Sequence, residues 1–401
     1  MDALTTPLPK AWQKVRLGDV AHIFDGTHQT PQYTHYGVAF FSVENIVSDK
    51  PSKFISQQDY LTATNQNRPE YNDILLTRIG TIGVSKVVNW NYPFSIYVTL
   101  AVIKQSKYFN SYYLHYFIQS NFFQKELKNN SLLQAIPCKI NMNELKKCGV
   151  ILPSLNEQIA IANILSDVDH YLYSLDALIL KKESVKKALS FELLSQRKRL
   201  KGFNQAWQRV RLGTYKYRRG SFPQPYGNPQ WYSDNGMPFV QVYDVGENFK
   251  LNQKTKQKIS KIAQPMSVFV PKNSVIITLQ GTIGRVALTQ YDCYCDRTIL
   301  IFDNNTLNDV NKYFFVLSLF TKFEEEKRKA DGSIIKTITK QTLKDFEILL
   351  PPLNEQIAIA NILSALDSEI ISLKNKKRQF ENIKKALNHD LMSAKIRVLK
   401  K

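Results

Sequence analysis

A chain of 401 residues with 54 Lys and Arg against 34 Asp and Glu carries a formal charge of +20, and at roughly 150 residues per domain it has room for two or three cores. A hydrophobic share of 43% with 11% aromatics excludes a disordered basic tail, and the charge points to a polyanionic partner. Residues 1–200 hold 22 basic and 16 acidic groups and residues 201–401 hold 32 and 18, so the net charge of +14 in the second half exceeds the +6 of the first.

The four cysteines, Cys138, Cys148, Cys293 and Cys295, match neither a zinc knuckle nor a disulfide frame and read as reduced, buried thiols with no metal site. The start, MDALTTPLPKAW, lacks a basic n-region and an apolar h-region, and no run approaches eighteen apolar residues. A cytoplasmic protein without a membrane partner is expected.

The elements repeat in order. WQKVRLG at Trp12–Gly18 returns as WQRVRLG at Trp207–Gly213, RIGTIGVSKV at Arg78–Val87 is echoed by LQGTIGRVAL at Leu279–Leu288, and LNEQIAIANILS occurs letter for letter at Leu155–Ser166 and Leu353–Ser364. The offsets are 195, 201 and 198 positions, so the chain is two copies of one unit.

In the first copy, a strand gives way to the turn-rich Asp25-Gly-Thr-His-Gln-Thr-Pro; Ser42-Val-Glu-Asn-Ile follows as a strand end with a loop. Asp73-Ile-Leu-Leu-Thr reads as a strand, Thr77-Arg-Ile-Gly-Thr-Ile-Gly as the loop behind it, and Tyr112–Lys128 as helix. From Ser154 to Lys201 there is neither Gly nor Pro. There, Ile161, Leu165, Val168, Leu172, Leu175 and Ile179, then Val185 and Leu189 after a polar break at Lys182, form a seam with a period near 3.5. Asn156 is the expected N-cap, with a capping box available from Ser154. Arg197, Lys198, Arg199 and Lys201 read as favourable charges at a helix end.

The second copy runs in parallel: Tyr217-Arg-Arg-Gly-Ser-Phe-Pro, Gln241-Val-Tyr-Asp-Val, a strand at Ser274-Val-Ile-Ile-Thr-Leu, the loop Thr278-Leu-Gln-Gly-Thr-Ile-Gly-Arg, and helix at Lys312–Lys329. Its seam is Ile359, Leu363, Leu366, Ile370 and Leu373, then Phe380, Ile383 and Leu387 after Lys377, with Asn354 as N-cap and Pro352 where the capping Ser would stand. A helix of about 44 residues spans roughly 65 Å, and its narrow apolar stripe needs an equally long partner. The other copy supplies it. The short link at Lys201-Gly202-Phe203-Asn204 favours antiparallel packing, which would put the globular parts at opposite ends of the helix pair. The fold class expected is α/β (α+β): two similar globular parts joined by two long antiparallel helices in a coiled coil, a pseudo-twofold repeat. The segments expected are 1–153 and 202–351 for the globular parts, and 154–201 and 352–401 for the helices.

This layout resembles the specificity subunit of type I restriction-modification systems, along the whole chain. The resemblance rests on the paired LP-x-L-NEQ-x-A-I-A-x-I-L-S helix openings, on W-x-x-V-R-L-G opening each globular part, and on G-T-I-G within each. It implies two target recognition domains, each reading half of a bipartite, asymmetric site in double-stranded DNA. It also implies helices that set the half-site spacing and dock two methyltransferase subunits, with restriction and translocase subunits in the full complex. No cofactor is expected on this chain; S-adenosylmethionine, ATP and Mg belong to the partner subunits.

Identity at Asn156, Glu157 and Gln158 and at Asn354, Glu355 and Gln356 goes beyond what a coiled-coil core dictates, so these six are the expected docking residues for two like partners. Candidate DNA contacts follow from donor chemistry at the loops, with Arg for guanine, Asn or Gln for adenine, and hydroxyls for phosphate. They are Thr27, His28, Asn45, Arg78, Thr81 and Lys86 in the first copy, and Arg218, Arg219, Ser221, Gln241, Tyr243, Lys256, Lys258, Gln280, Thr282 and Arg285 in the second. His28 either faces DNA or bonds its own turn. The Lys254, Lys256, Lys258, Lys261 run either tracks a phosphate strand or is a solvated loop.

Catalytic signatures fail. There is no phosphate-binding G-x-x-x-x-G-K-[ST] loop. Asn228-Pro-Gln-Trp only mimics an amino-methyltransferase motif, and Glu325-Glu326-Lys327 only mimics a nuclease metal site. The alternatives are a recognition subunit of a bifunctional type II-like system, a nuclease-methylase fragment, and a coiled-coil scaffold that binds DNA without sequence preference.

Overall fold

In the computed structural model, which describes residues 8–48, 51, 53–246, 248–329 and 340–398, the chain divides into two units, Met1–Leu178 with Leu373–Lys401, and Ile179–Ser372. Residues 1–7, 49, 50, 52, 247, 330–339 and 399–401 of the expected segments therefore lie outside the described residues. Both long helices are cut by this division, so each unit holds pieces of both repeats.

The first unit runs β1 (Gln13–Arg16), α1 (Leu17–Val20), β2 (Ile23–Asp25), β3 (Tyr33–Thr34), β4 (Val38–Phe41), α2 (Val43–Ser48), β5 (Lys53–Ile55), α3 (Gln57–Ala63), β6 (Ile74–Thr77), β7 (Ser85–Val87), β8 (Phe94–Ile96), β9 (Leu100–Ile103), α4 (Ser111–Ile118), α5 (Asn121–Asn129), α6 (Met142–Lys147) and β10 (Gly149–Leu152), and then enters α7 (Leu155–Leu194). The sheets are β2-β9-β6-β7, β3-β5-β4-β8 and the pair β1-β10, with β4 and β8 parallel.

β6 and β9 are buried at every position because the sheet they share is covered on both faces. Ile74, Leu76, Ala101 and Ile103 point into one core, with Tyr113, Leu114 and Phe117 of α4. Leu75, Leu100 and Val102 point into another, with Phe41 and Phe94. The expected helix at Tyr112–Lys128 is two helices, because Ser120 leaves the helix to cap α5 through the Phe123 amide.

The second unit repeats this. Past α7 come β11 (Gln208–Arg211), β12 (Tyr217–Arg219), β13 (Tyr232–Val240), β14 (Gln257–Ile259), β15 (Val268–Val270), β16 (Val275–Thr278), β17 (Val286–Leu288), β18 (Cys293–Cys295), β19 (Ile299–Phe302), α8 (Lys312–Lys329), α9 (Lys340–Asp345), β20 (Glu347–Leu350) and α10 (Leu353–Met392). Its sheets are β12-β19-β16-β17, β14-β13-β18-β15 and β11-β20, with β13 and β18 parallel. Period-2 alternation again divides two cores: Val275, Ile277, Leu300 and Phe302 on one side, Ile276, Ile299 and Ile301 on the other. Cys148, Cys293 and Cys295 are buried free thiols, while Cys138 is half-buried and bonds the Gly80 carbonyl.

Within each unit the helix segments pair antiparallel. In the first, Asp169 meets Lys384 at 2.6 Å and Asp176 meets Lys377 at 2.7 Å; in the second, Lys182 meets Glu369 at 2.8 Å and Lys186 pairs with Asp367. α10 is long and apolar enough to cross a membrane by length and hydropathy alone, but Ile359, Leu363 and Ile370 are buried against this chain.

Two seam positions differ from expectation. Val185 and Ile383 are 45% and 50% exposed, and the residues that turn inward are the next ones, Lys186 and Lys384. Each lysine takes an aspartate of the opposite helix, and each aspartate also accepts a phenol, Tyr116 to Asp169 at 2.7 Å and Tyr313 to Asp367. Burial beside those carboxylates drives both phenol pKa values up, so they stay donors. At each of these two points the 3.5 repeat breaks because a charged pair takes the place of an apolar contact.

The helix openings differ too. α7 and α10 begin at Leu155 and Leu353, so Asn156 and Asn354 lie inside the first turn and are not N-caps. Ser154 caps α7 through the Glu157 amide at 3.4 Å. The reciprocal half of the capping box is not made, because the Glu157 side chain is engaged elsewhere. It accepts from Trp12 Nε1 at 3.1 Å and from Arg397 Nε and Nη2 at 2.6 and 3.1 Å. Glu355 repeats this with Trp207 Nε1 at 3.2 Å and with Arg199 Nε and Nη2 at 3.2 and 2.6 Å. Arg199 is therefore a structural ligand to a buried carboxylate and not only a helix-end charge.

Breaking a buried pair strands its charge at a cost of several kcal/mol. Arg397→Ala and Arg199→Ala are each expected to destabilise the chain by roughly 2–4 kcal/mol, discounted for the partial exposure of the arginines. Lys198→Ala, which removes an exposed pair with Glu192, is expected to cost under about 0.5 kcal/mol. Scanning calorimetry on the full chain separates the two outcomes; equal, small shifts for all three would refute the structural role.

Candidate nucleic-acid interface

The loops of interest leave equivalent places in the two units. After β2 and after β12 the chain passes so close to a neighbouring strand that only glycine fits: a Cβ on Gly26 would lie 2.1 Å from the Ile96 carbonyl oxygen, and one on Gly220 2.3 Å from that of Cys295. The segments beyond these glycines begin from a common scaffold point but share no sequence. In the first unit, His28 is exposed and its Nε2 lies 3.1 Å from Asp25 Oδ2, within its own turn. Thr27 is half-buried, its hydroxyl donating to the Gln29 carbonyl.

Two expected DNA contacts are turned into the protein. Asn45 is 1% exposed, and its Oδ1 accepts the Ser42 amide and hydroxyl at 2.8 and 3.2 Å, starting α2. Arg78 is 6% exposed and donates to Asp25 Oδ2 at 3.0 Å and to the Val98 and Ile140 carbonyls at 2.8 and 3.2 Å. Burial lowers its pKa, which Asp25 partly offsets. Its role is to tie β2, β6 and the segment before α6 together. Expected as a DNA contact, Arg78 is instead spent on these internal partners.

The G-T-I-G segments are hairpin turns between β6 and β7 and between β16 and β17. Gly80, Gly83, Gly281 and Gly284 all have positive φ, which glycine adopts without a Cβ clash. Thr77 and Thr278 each accept the amide seven residues on, from Val84 at 2.9 Å and Arg285 at 3.0 Å. Thr81, Gln280 and Thr282 stand exposed on the turns. Lys86 is half-buried, with its pKa lowered by burial, 5.6 Å from the Trp90 ring centroid. Arg285 donates to the Val245 carbonyl at 3.1 Å.

The second unit gathers a more open set. Asp244 is buried, and its two oxygens accept the Gln241 amide and the Lys256 amide, both at 2.9 Å. That clamp places the Tyr243 ring, 46% exposed, 5.1 Å from Lys256 Nζ, with the Tyr243 hydroxyl on Gln241 Oε1. Lys254, Lys256, Lys258 and Lys261 are all exposed, Lys258 donating to the Asp234 carbonyl at 2.9 Å. Arg218 and Arg219 are exposed on β12, Arg218 donating to the Phe269 carbonyl at 3.1 Å, and Ser221 donates to the Met266 carbonyl at 3.0 Å. An aromatic face beside a lysine, with an amide in reach, can stack on a base and neutralise a phosphate. Asp244 was missed by the sequence argument; its spacing three residues after Gln241 was the available signal.

The expected docking residues divide. Glu157 and Gln158 are 3% and 1% exposed, and Glu355 and Gln356 are 1% and 2%. Gln158 accepts the Asn110 amide and donates to the Pro153 carbonyl, both at 2.9 Å; Gln356 accepts from Asn311 at 2.9 Å and donates to Pro351 at 2.8 Å. These four are corrected: they are occupied inside the chain and cannot form an outer face. Asn156 and Asn354 are exposed, together with Leu155, Ile159 and Asn163 and with Leu353, Ile357 and Asn361.

Three comparisons bear on this geometry. The family described as "Type I restriction modification DNA specificity domain" matches residues 9–182 and 224–382. A Methanocaldococcus jannaschii protein named "Putative type I restriction enzyme MjaX specificity subunit" is 27% identical over 416 residues, covering 98% of this chain and 95% of that one. The fold is similar to that of the type I restriction-modification S subunit from M. genitalium, with a TM-score of 0.63 at 15% identity over 98% and 99% of the two chains. It is also similar to the HsdS subunit from Thermoanaerobacter tengcongensis, at 0.51 and 18% over 98% and 99%.

Lys256→Ala is expected to weaken duplex binding and to reduce the slope of log affinity against log salt by about one unit. Tyr243→Ala is expected to weaken binding without changing that slope, since stacking releases no counterion. Arg78→Ala is expected to lower the melting temperature instead. Salt-titrated fluorescence anisotropy with a melting control checks all three; an unchanged slope for Lys256→Ala removes it from the interface.

Proposed function

Because the chain belongs to the type I restriction-modification DNA specificity family, we propose that its two repeats read the two halves of a split, asymmetric duplex target, through residues 1–153 and 202–351. The chain is the non-catalytic DNA-recognition subunit of such a system. One observation carries the bipartite reading: two copies of one fold, with the same four-stranded order in β2-β9-β6-β7 and β12-β19-β16-β17 and matching glycine pivots, send out loops that share no sequence past those pivots. Dissimilar readers on one scaffold make a target whose halves differ. The helical segments, 154–201 and 352–401, set the spacing between the half-sites.

The partners are double-stranded DNA and two methyltransferase subunits, joined by restriction and translocase subunits in the full complex. S-adenosylmethionine, ATP and Mg are held by those partners, and work on DNA places the protein in the cytoplasm. The docking faces are the exposed and identical parts of the helix openings, Leu155, Asn156, Ile159 and Asn163 in one copy and Leu353, Asn354, Ile357 and Asn361 in the other. Leu155, Ile159, Leu353 and Ile357 are 41–46% exposed, and among the described residues none of the four belongs to its unit's hydrophobic core.

Co-expression with the methyltransferase and mapping of methylated adenines is expected to give a split motif with unlike halves, and exchanging residues 202–351 for those of a relative is expected to change one half alone. A continuous motif, or marks unaffected by the exchange, overturns the reading. Ile159→Asp is expected to leave one methyltransferase copy per chain, and Ile159→Asp with Ile357→Asp to leave none, by native mass spectrometry.

A further inference from the structure

In the first unit, the segment between α5 and α6 forms a hairpin whose tip is apolar. Ile136 is fully exposed at 101% relative accessibility, and Leu132 and Leu133 are 50% and 48% exposed. The tip is ordered. Leu132 and Lys139 exchange backbone hydrogen bonds at 2.8 and 3.3 Å, and the Ala135 amide donates to the Leu132 carbonyl at 3.3 Å. Its base is fastened to the G-T-I-G turn: the Gly80 amide donates to the Cys138 carbonyl at 2.8 Å, the Cys138 thiol donates to the Gly80 carbonyl at 2.7 Å, and the Ile140 amide donates to the Arg78 carbonyl at 2.9 Å.

We propose that this hairpin is an apolar wedge, with Ile136 entering a base step from the minor groove at the half-site read by the first unit. The inference rests on the DNA-reading function proposed above. Apolar side chains held in the open cost free energy in water, and three of them at an ordered turn are explained by a partner that covers them. The rim selects the partner. Lys125 and Lys128 stand exposed on the preceding helix, Lys139 closes the hairpin, and Gln134 is exposed beside the tip, while Glu126 is turned to the Gly149 amide at 3.3 Å. A narrow apolar point within a basic and amide rim suits a duplex, whose phosphates meet the lysines as an apolar wedge opens a step and bends the axis. Pyrimidine-purine steps unstack most readily. Because the hairpin beneath the tip is already hydrogen-bonded, little conformational freedom is lost on insertion.

The test uses the full chain co-purified with its methyltransferase, on duplexes carrying the motif found by methylation mapping, with 2-aminopurine placed in turn through the first unit's half-site. Wild type is expected to raise the fluorescence at one step and to bend the duplex. Ile136→Ala is expected to bind roughly tenfold more weakly, to lose both signals, and to keep the wild-type salt slope and melting temperature; Ile136→Phe is expected to retain the signals. Wild-type fluorescence and affinity in Ile136→Ala overturn the wedge while leaving the recognition reading intact. Loss of methyltransferase retention in Ile136→Ala, with bending unchanged, also overturns it and assigns the tip to a protein contact. If wild-type protein prefers no duplex, the recognition reading itself fails, and the wedge with it.

Discussion

Two buried carboxylates organise this chain. Glu157 and Glu355 open the two long helices, and each accepts from a tryptophan of its own unit's globular part and from an arginine that follows the other repeat's helix. A buried charge in that position is tolerated only with several donors aimed at it. The requirement therefore joins three stretches of chain far apart in sequence: the W-x-x-V-R-L-G block, the NEQ opening and the end of the opposite helix. The neighbouring glutamine adds a fourth, bonding the amide that precedes α4 in one unit and α8 in the other.

This accounts for the identity of twelve residues placed 198 positions apart. Each opening is held by like partners, so like residues are needed twice. Further along the helices the same logic recurs, with Lys384 and Tyr116 on Asp169 matched by Lys186 and Tyr313 on Asp367. What is left over from the internal requirement is an exposed strip, Leu155, Asn156, Ile159 and Asn163 with its copy, which the fold does not consume. The two like partners proposed to dock there would account for that identity.

The loops proposed to read DNA obey the opposite rule. Gly26 and Gly220 are demanded by a close backbone approach, and the paired G-T-I-G turns by positive φ, but the loops between these constraints are free to change. In the second unit a buried acid, Asp244, holds Tyr243 and Lys256 in place from beneath. In the first, an ordered apolar hairpin stands beside the turn. Constant anchors with changeable side chains are what two different base sequences require of one scaffold.

From the sequence alone, the repeat, the long helices, the α/β character of the globular parts and the family resemblance were all legible, because duplication and apolar periodicity are local patterns that burial enforces. Antiparallel pairing of the helix segments in each unit was also legible, since a narrow stripe must be covered and the link is short. Tertiary structure alone decided which polar residues face inward. Arg78 and Asn45 carry the chemistry of DNA contacts, yet a carboxylate and two carbonyls surround the first, and a turn surrounds the second. Glu157 and Gln158 have the composition of a surface, yet lie buried because donors from distant segments converge on them. Residue type records what a side chain can bond; only the fold determines which bonding groups reach it first.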